Sequence, residues 1–212
     1  MVTAFFYARP YFLQFLFFVF LRPMRSAILY YWAKLTLWMW GWDVRGQLPE
    51  GVKKCIIVVA PHTSMTDFII GRFGFWFLRI KVSFLIKKEA FTFWVGWLIR
   101  GSGGIPVDRS KGSNVTNQVV TMIEQAERIA IVITPEGTRE KVTHWKKGFY
   151  FLAQTAKIHI ILAYIDYGTK KGGVGPAIYP SGDYEADMLK IKEFYNGMQG
   201  KHPECFDIDS VK

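Results

Sequence analysis

The chain has 212 residues, half of them apolar, with 27 Lys+Arg against 17 Asp+Glu and a formal net charge of +10. That composition excludes a disordered or low-complexity protein, and the length suffices for one substantial core plus a small appendage. Two cysteines, Cys55 and Cys205, cannot make a disulfide framework, which fits a reduced, cytosol-facing protein.

Residues 1–42 hold 15 of the 36 aromatic residues, four basic residues and no carboxylate. A basic balance alone suits nucleic acid, membrane or phosphorylated ligands. Aromatic and aliphatic residues packed between Arg9, Arg22, Arg25 and Lys34 favour an anionic lipid leaflet over nucleic acid, because the rings dissolve at the acyl boundary while the cations meet phosphates. A transmembrane helix needs about 20 apolar residues. The runs 11–21 and 27–42 are both shorter, and the second contains Lys34. They predict two short helices, broken at Arg22-Pro23, that lie in or dip into one leaflet. A tilted span over 2–21 is one alternative, and simple core for the rest of the chain is another. No small-x-small cleavage site follows the first run, so the segment is expected to be retained.

After the turn-rich joint Gln47-Leu48-Pro49-Glu50-Gly51 the pattern alternates. Strands are predicted at 55–60, 82–86, 104–107, 129–134, 158–167 and 177–179, and helices at 67–79, 91–100, 114–128, 147–157 and 183–195. Gly172-Gly173-Val174-Gly175 reads as a loop. Strands alternating with helices predict an α/β fold with a mostly parallel sheet flanked by helices. The division expected is a helical membrane anchor, 1–45, and a single α/β domain, 46–212.

Pro61-His62-Thr63-Ser64-Met65-Thr66-Asp67 follows the first buried strand, where ligands of open α/β sheets bind. Positions i and i+5 lie about 140° apart on a helix. His62 must therefore sit in the strand-to-helix turn, with Asp67 in the first helical turn, for the two to meet and orient an imidazole base. Ser64-x-x-Asp67 equally matches a capping pattern in which Asp67 never touches His62. Thr134-Pro135-Glu136-Gly137-Thr138-Arg139 ends another strand; it is either an anion-gripping loop or a turn with Glu136 and Arg139 solvated. Asp108 and Arg109 form a surface ion pair or an anion contact, and Lys87-Lys88-Glu89 reads as a solvated cluster. His159 reads as a core or edge histidine, and His144 and His202 as surface residues. His62, Asp67 and Glu136 lack tight metal-ligand spacing, so no metal is assigned.

Taken together, His62-x4-Asp67, Lys87-Lys88-Glu89, Ile105-Pro106-Val107-Asp108-Arg109 and Pro135-Glu136-Gly137-Thr138-Arg139, in that order, resemble the lysophospholipid acyltransferase family, specifically its compact bacterial 1-acylglycerol-3-phosphate acyltransferase branch. The likeness runs on through Trp145-Lys146-Lys147-Gly148-Phe149-Tyr150 and covers roughly residues 50–203. It implies an enzyme that moves a fatty acyl group from acyl-CoA or acyl carrier protein to the free hydroxyl of a lysophospholipid, foremost 1-acyl-sn-glycerol 3-phosphate giving phosphatidic acid, with a different lysolipid acceptor as the alternative, and with no cofactor. It implies His62 as general base and Asp67 as its orienting partner, with Lys87, Arg109, Glu136, Gly137, Thr138 and Arg139 holding the acceptor's phosphate. Membrane attachment on the cytoplasmic face is implied as well. Two departures stand out: Pro61 replaces the family's Asn, and the fourth block, Ile158-His159-Ile160-Ile161-Leu162-Ala163, lacks its prolines. A rival reading is a membrane-binding module of the same fold that transfers nothing.

Overall fold

Continuous β-branched runs become the middle of a sheet, because a strand flanked on both sides and covered on both faces has no wet surface left for polar residues. The computed structural model describes residues 22–92, 94–108, 110 and 115–209. Seven strands, β1 (Asp43–Arg45), β2 (Lys54–Ala60), β3 (Ser83–Lys87), β4 (Gly104–Val107), β5 (Ile129–Ile133), β6 (His159–Asp166) and β7 (Lys171–Ile178), form one sheet in the order β1-β7-β6-β2-β5-β3-β4. All neighbours are parallel except the β6–β7 pair. Cys55 to Ala60 of β2 are buried throughout.

Among the described residues six α-helices cover the sheet: α1 (Arg22–Met39), α2 (Met65–Phe77), α3 (Gly96–Gly101), α4 (Val115–Gln125), α5 (Gly148–Thr155) and α6 (Tyr184–Tyr195). One core layer joins Ile56, Val58 and Ile160 to Val119, Phe149 and Ile191 of α4, α5 and α6. The opposite layer joins Ile57, Val59 and Ile161 to Leu37, Ile70 and Phe73 of α1 and α2. The α/β architecture with a mostly parallel sheet is therefore as the strand and helix periods predict. Cys55 is buried, Cys205 is half-buried, and both are free thiols.

The N-terminal segment departs from expectation. Arg22 and Pro23 lie in the first turn of α1, which opens ahead of the predicted start at 27, at a place where a proline is tolerated because its missing N–H has no partner to lose. The predicted helix through 42 stops at Met39. Gly41 takes a positive φ of 73°, and the N–H of Trp42 returns to the carbonyl of Leu37, closing the helix end and turning the indole inward. Residues 43–45, counted above with the anchor, form the edge strand β1. The partner helix predicted over 11–21 lies outside the described residues, so the helical pair is not seen as a pair. No described helix is long and apolar enough to cross a membrane.

The glycine run predicted as a loop is the body of β7. A Cβ on Gly173 would collide with the carbonyl of Arg45, and one on Gly175 with the ring of Phe194. These glycines let β1 and α6 approach a strand that side chains would hold off.

Candidate active site

The C-terminal ends of the parallel strands converge at one end of the sheet, so the residues just after β2 and β5 are neighbours in space, together with the segment that follows β6. Ser64 caps α2: its side chain accepts from the N–H of Thr66, and Asp67 accepts from the N–H of Ser64, completing a capping box. The same Asp67 Oδ2 stands 3.2 Å from Nδ1 of His62. The two sequence alternatives, cap or dyad, are thus both realised by one carboxylate. The cap fixes Asp67 at the helix start, and the turn brings the imidazole back to it.

Asp67 accepts from the N–H groups of Thr63 at 2.7 Å and Ser64 at 2.8 Å through Oδ2, and from the hydroxyl of Tyr167 at 2.7 Å through Oδ1. Burial opposes its charge, but His62, Tyr167 and the two backbone donors outweigh that and hold its pKa below the ordinary value. His62 is about a fifth exposed, with the carboxylate behind it almost fully buried.

Glu136 is placed differently from the anion-gripping role assigned to its loop. It is 4 % exposed, and both carboxyl oxygens accept from the N–H of His62, at 3.2 and 3.0 Å. It braces the turn that carries His62. Burial pushes its pKa up to about 8; the nearby Asp67 charge adds to the rise, and the His62 N–H opposes it. An unfolded chain releases this proton near the usual carboxylate pH, whereas the folded chain keeps it until about pH 8. The stabilisation is complete below the unfolded value and is lost as pH rises through the folded one. Glu136→Gln should therefore match the parent in thermal stability at pH 5 and exceed it at pH 8.5 by on the order of 3–5 kcal/mol. Scanning calorimetry at the two pH values checks this; parallel melting curves would contradict it.

His62 and Asp67 open onto a cavity of about 690 Å³. The sheet makes room for it. β3 pairs with β5 only at Ser83–Ile131 and Phe84–Val132, then stays with β4 as far as Lys87–Val107, so β3 parts from β5 beyond Phe84. Phe84, Leu85, Val132 and Ile133 line the parting, with Phe75 of α2 and Phe149 of α5 on either side. The polar and charged residues of the lining are His62, Asp67, Arg72, Thr116, Thr134 and Lys146. Gly137 belongs to this wall as well. It takes a φ of 69°, and a Cβ there would strike the side chain of Lys146, so only glycine lets that ammonium lie against the loop.

Thr138, Arg139 and Lys87 are exposed and stand outside the cavity lining. Arg109 lies outside the described residues. Lys88 and Asp108 pair with each other at 2.6 Å across the ends of β3 and β4; that bond and ion pair lower the Asp108 pKa. Several cavity or dyad residues were not singled out from sequence, Arg72, Lys146 and Tyr167 among them. Lys146 sat in a quoted block without a role, and Tyr167 had no motif, although its place just beyond β6, the neighbour of β2, is the signal that could have flagged it. Among the described residues no group of three or more His, Cys, Asp or Glu could hold a metal ion.

Comparison with known proteins gives three findings. The family model described as Acyltransferase matches residues 43–166. A 1-acyl-sn-glycerol-3-phosphate acyltransferase of Limnanthes douglasii is 28 % identical over 134 residues, which cover 60 % of this chain and 46 % of the relative, so the chain spans about half of that protein's length. The crystal structure of PlsC, the 1-acyl-sn-glycerophosphate (LPA) acyltransferase from Thermotoga maritima, has the same fold, with a TM-score of 0.55 at 16 % identity over 87 % of this chain and 88 % of that one.

Proposed function

The chain belongs to the acyltransferase family, and from that premise we propose that it transfers a fatty acyl group from an acyl thioester, acyl-CoA or acyl carrier protein, to the free hydroxyl of a lysophospholipid. The observation that carries this reading is the His62–Asp67 pair in the wall of a largely apolar cavity. An imidazole held by a buried carboxylate takes a proton well, and a gallery of Phe, Val, Leu and Ile side chains solvates an acyl chain. The name of the Limnanthes douglasii relative supports 1-acyl-sn-glycerol 3-phosphate as the acceptor.

With Nδ1 on Asp67, Nε2 of His62 is left to take the proton of the acceptor hydroxyl as that oxygen bonds to the thioester carbonyl carbon. The tetrahedral intermediate collapses with cleavage of the C–S bond, and the departing sulfur receives the proton from the imidazolium. The products are an ester and a free thiol. The hydroxyl of Ser64, in the same turn, is spent on the helix cap, donating to Thr66 Oγ1 and accepting from the Thr66 N–H. A nucleophile supplied by the substrate suits this arrangement, and no acyl-enzyme is needed. Lys146 inside the cavity and Arg139 on the exposed loop beyond Gly137 supply cations for the acceptor's phosphate.

The acceptor lives in a membrane, and the exposed surface suits one. Ile28, Tyr31, Leu35 and Trp38 form an exposed stripe along α1 while Ala33 and Leu37 face the core. Exposed Met65 and Phe68 of α2 are also cavity-lining, so apolar surface leads into the site. Exposed Trp94 and Trp97 add aromatic rings of the kind that settle at headgroup depth. Free thiols at Cys55 and Cys205 support a cytoplasmic-face location.

The test uses the purified chain, a long-chain acyl-CoA and vesicles of anionic phospholipid with and without lysophosphatidic acid. Thiol release should depend on the lysolipid, a phosphatidic acid of the summed mass should appear by mass spectrometry, and the protein should sediment with the vesicles. Thiol release regardless of acceptor would make the protein a hydrolase. Sedimentation without turnover on any thioester or lysolipid would make it a membrane-binding module.

A further inference from the structure

Asp67 Oδ2 is crowded, carrying two backbone donors and the imidazole, whereas Oδ1 takes one bond, from a residue one hundred positions away. We propose that Tyr167 is the positioning residue of the dyad: its hydroxyl sets the rotation of the Asp67 carboxylate and shares its charge, and thereby fixes both the direction and the proton affinity of His62. The inference rests on the acyl-transfer reading of the same site.

Four facts carry it. Asp67 is buried, so an undonated oxygen would be costly, and a carboxylate gripped along one edge alone can still tilt about its Cβ–Cγ bond. The Tyr167 bond, at 2.7 Å, pins the other edge. Tyr167 is itself held: its N–H donates to the carbonyl of Gln199 at 2.9 Å, and its ring meets Trp42 edge-on with centroids 5.0 Å apart. Burial, and then the bond to Asp67, push its phenol pKa far above the ordinary value, so it remains an O–H donor at any working pH.

Other titratable groups around His62 must stay unchanged for the test to be clean. They are Asp67 and Arg72 of α2, Glu136 and Lys146 of the β5–α5 segment, and Lys201 and His202 of the C-terminal segment. Lys201 reaches Thr66 Oγ1, and the His202 N–H reaches Thr63 Oγ1. Tyr167→Phe replaces none of them, and of the set only Asp67 loses a hydrogen-bond donor.

The experiment measures acyl transfer by Tyr167→Phe from pH 5 to 9, with acyl-CoA and lysophosphatidic acid each varied. At pH 7 kcat should fall roughly ten- to hundredfold while both KM values change less than about twofold. The acid limb of the kcat/KM profile should move upward by roughly half a pH unit or more, because the negative charge no longer shared with Tyr167 favours the imidazolium. An unmoved acid limb overturns the proposal even if turnover drops, since a tyrosine that only fills space leaves the imidazole's proton affinity alone. Should the variant fail to fold, 3-fluorotyrosine at position 167 keeps ring and hydroxyl and strengthens the donor; the limb should then move downward, and an unmoved limb overturns the proposal equally. His62→Ala separates the two levels. Retained activity there ends the dyad reading itself, whereas an inactive His62→Ala beside an unmoved limb ends only the role of Tyr167.

Discussion

His62→Ala should reduce acyl transfer by at least about a thousandfold, with the loss in kcat rather than in either KM, while the protein melts within a degree or two of the parent. The structure gives a reason to expect such a clean separation. The bond that ties this turn to the strand ends is made by the His62 backbone N–H, which alanine keeps, to the Glu136 carboxyl. The ring itself is partly exposed at the cavity, so its removal opens no sealed void. What disappears is the group able to take the hydroxyl proton as the oxygen attacks. A folded His62→Ala protein within tenfold of normal turnover would mean that another base does the work. The assay is thiol release against both substrates, with the melting curve recorded on the same preparation.

Asp67→Ala should fail on both counts. It removes the acceptor for the buried N–H of Thr63, the half-buried N–H of Ser64 and the Tyr167 hydroxyl, and at about 1–3 kcal/mol for each stranded donor the fold should lose on the order of 4 kcal/mol. For a chain of this length that lowers Tm by about 10 °C. Activity should fall with it, because nothing then sets the tautomer of His62. Asp67→Asn divides the two effects: the amide oxygen still accepts, so most of the stability returns, but the charge that favours the imidazolium does not. The stabilisation from Asp67 has its own pH signature. Its folded pKa is lowered, so the contribution is complete above the unfolded value and is lost as the pH falls through the folded one. The stability gap between parent and Asp67→Asn should accordingly narrow in acid, as followed by thermal melts from pH 3 to 7. A gap that does not change would show that the Asp67 charge is not what the turn responds to.

The two variants differ because the same short stretch serves two purposes. A capping box is needed to start α2 whatever the protein does, and it places a carboxylate at the helix N-terminus, beside the end of β2. Only the direction of the preceding turn makes that carboxylate part of a dyad. Glu136 shows the converse. Its loop reads as a ligand-gripping element, yet the carboxyl faces inward and, with a pKa near 8, is largely uncharged at neutral pH. That leaves Asp67 as the charged carboxylate in contact with the His62 ring.

Much was legible from local pattern alone. The β-branched run of β2, the helical period of α4 and the strand-to-helix turn at His62 are written in neighbouring residues, because burial of one strand or one helix face depends on periods of two or 3.6. The motif order, with its resemblance to a known family, placed the dyad before any coordinates. Tertiary structure decided the rest, through contacts between segments far apart in the chain. The glycines of β7 became a strand because β1 and α6 close on them; Trp42 turned inward at the end of α1; Tyr167 met Asp67 across one hundred residues; and β3 parted from β5 to open the cavity. Periodicity and capping are properties of a short stretch and can be read from it, whereas backbone approach, strand order and the partner of a buried carboxyl exist only once the chain has closed on itself.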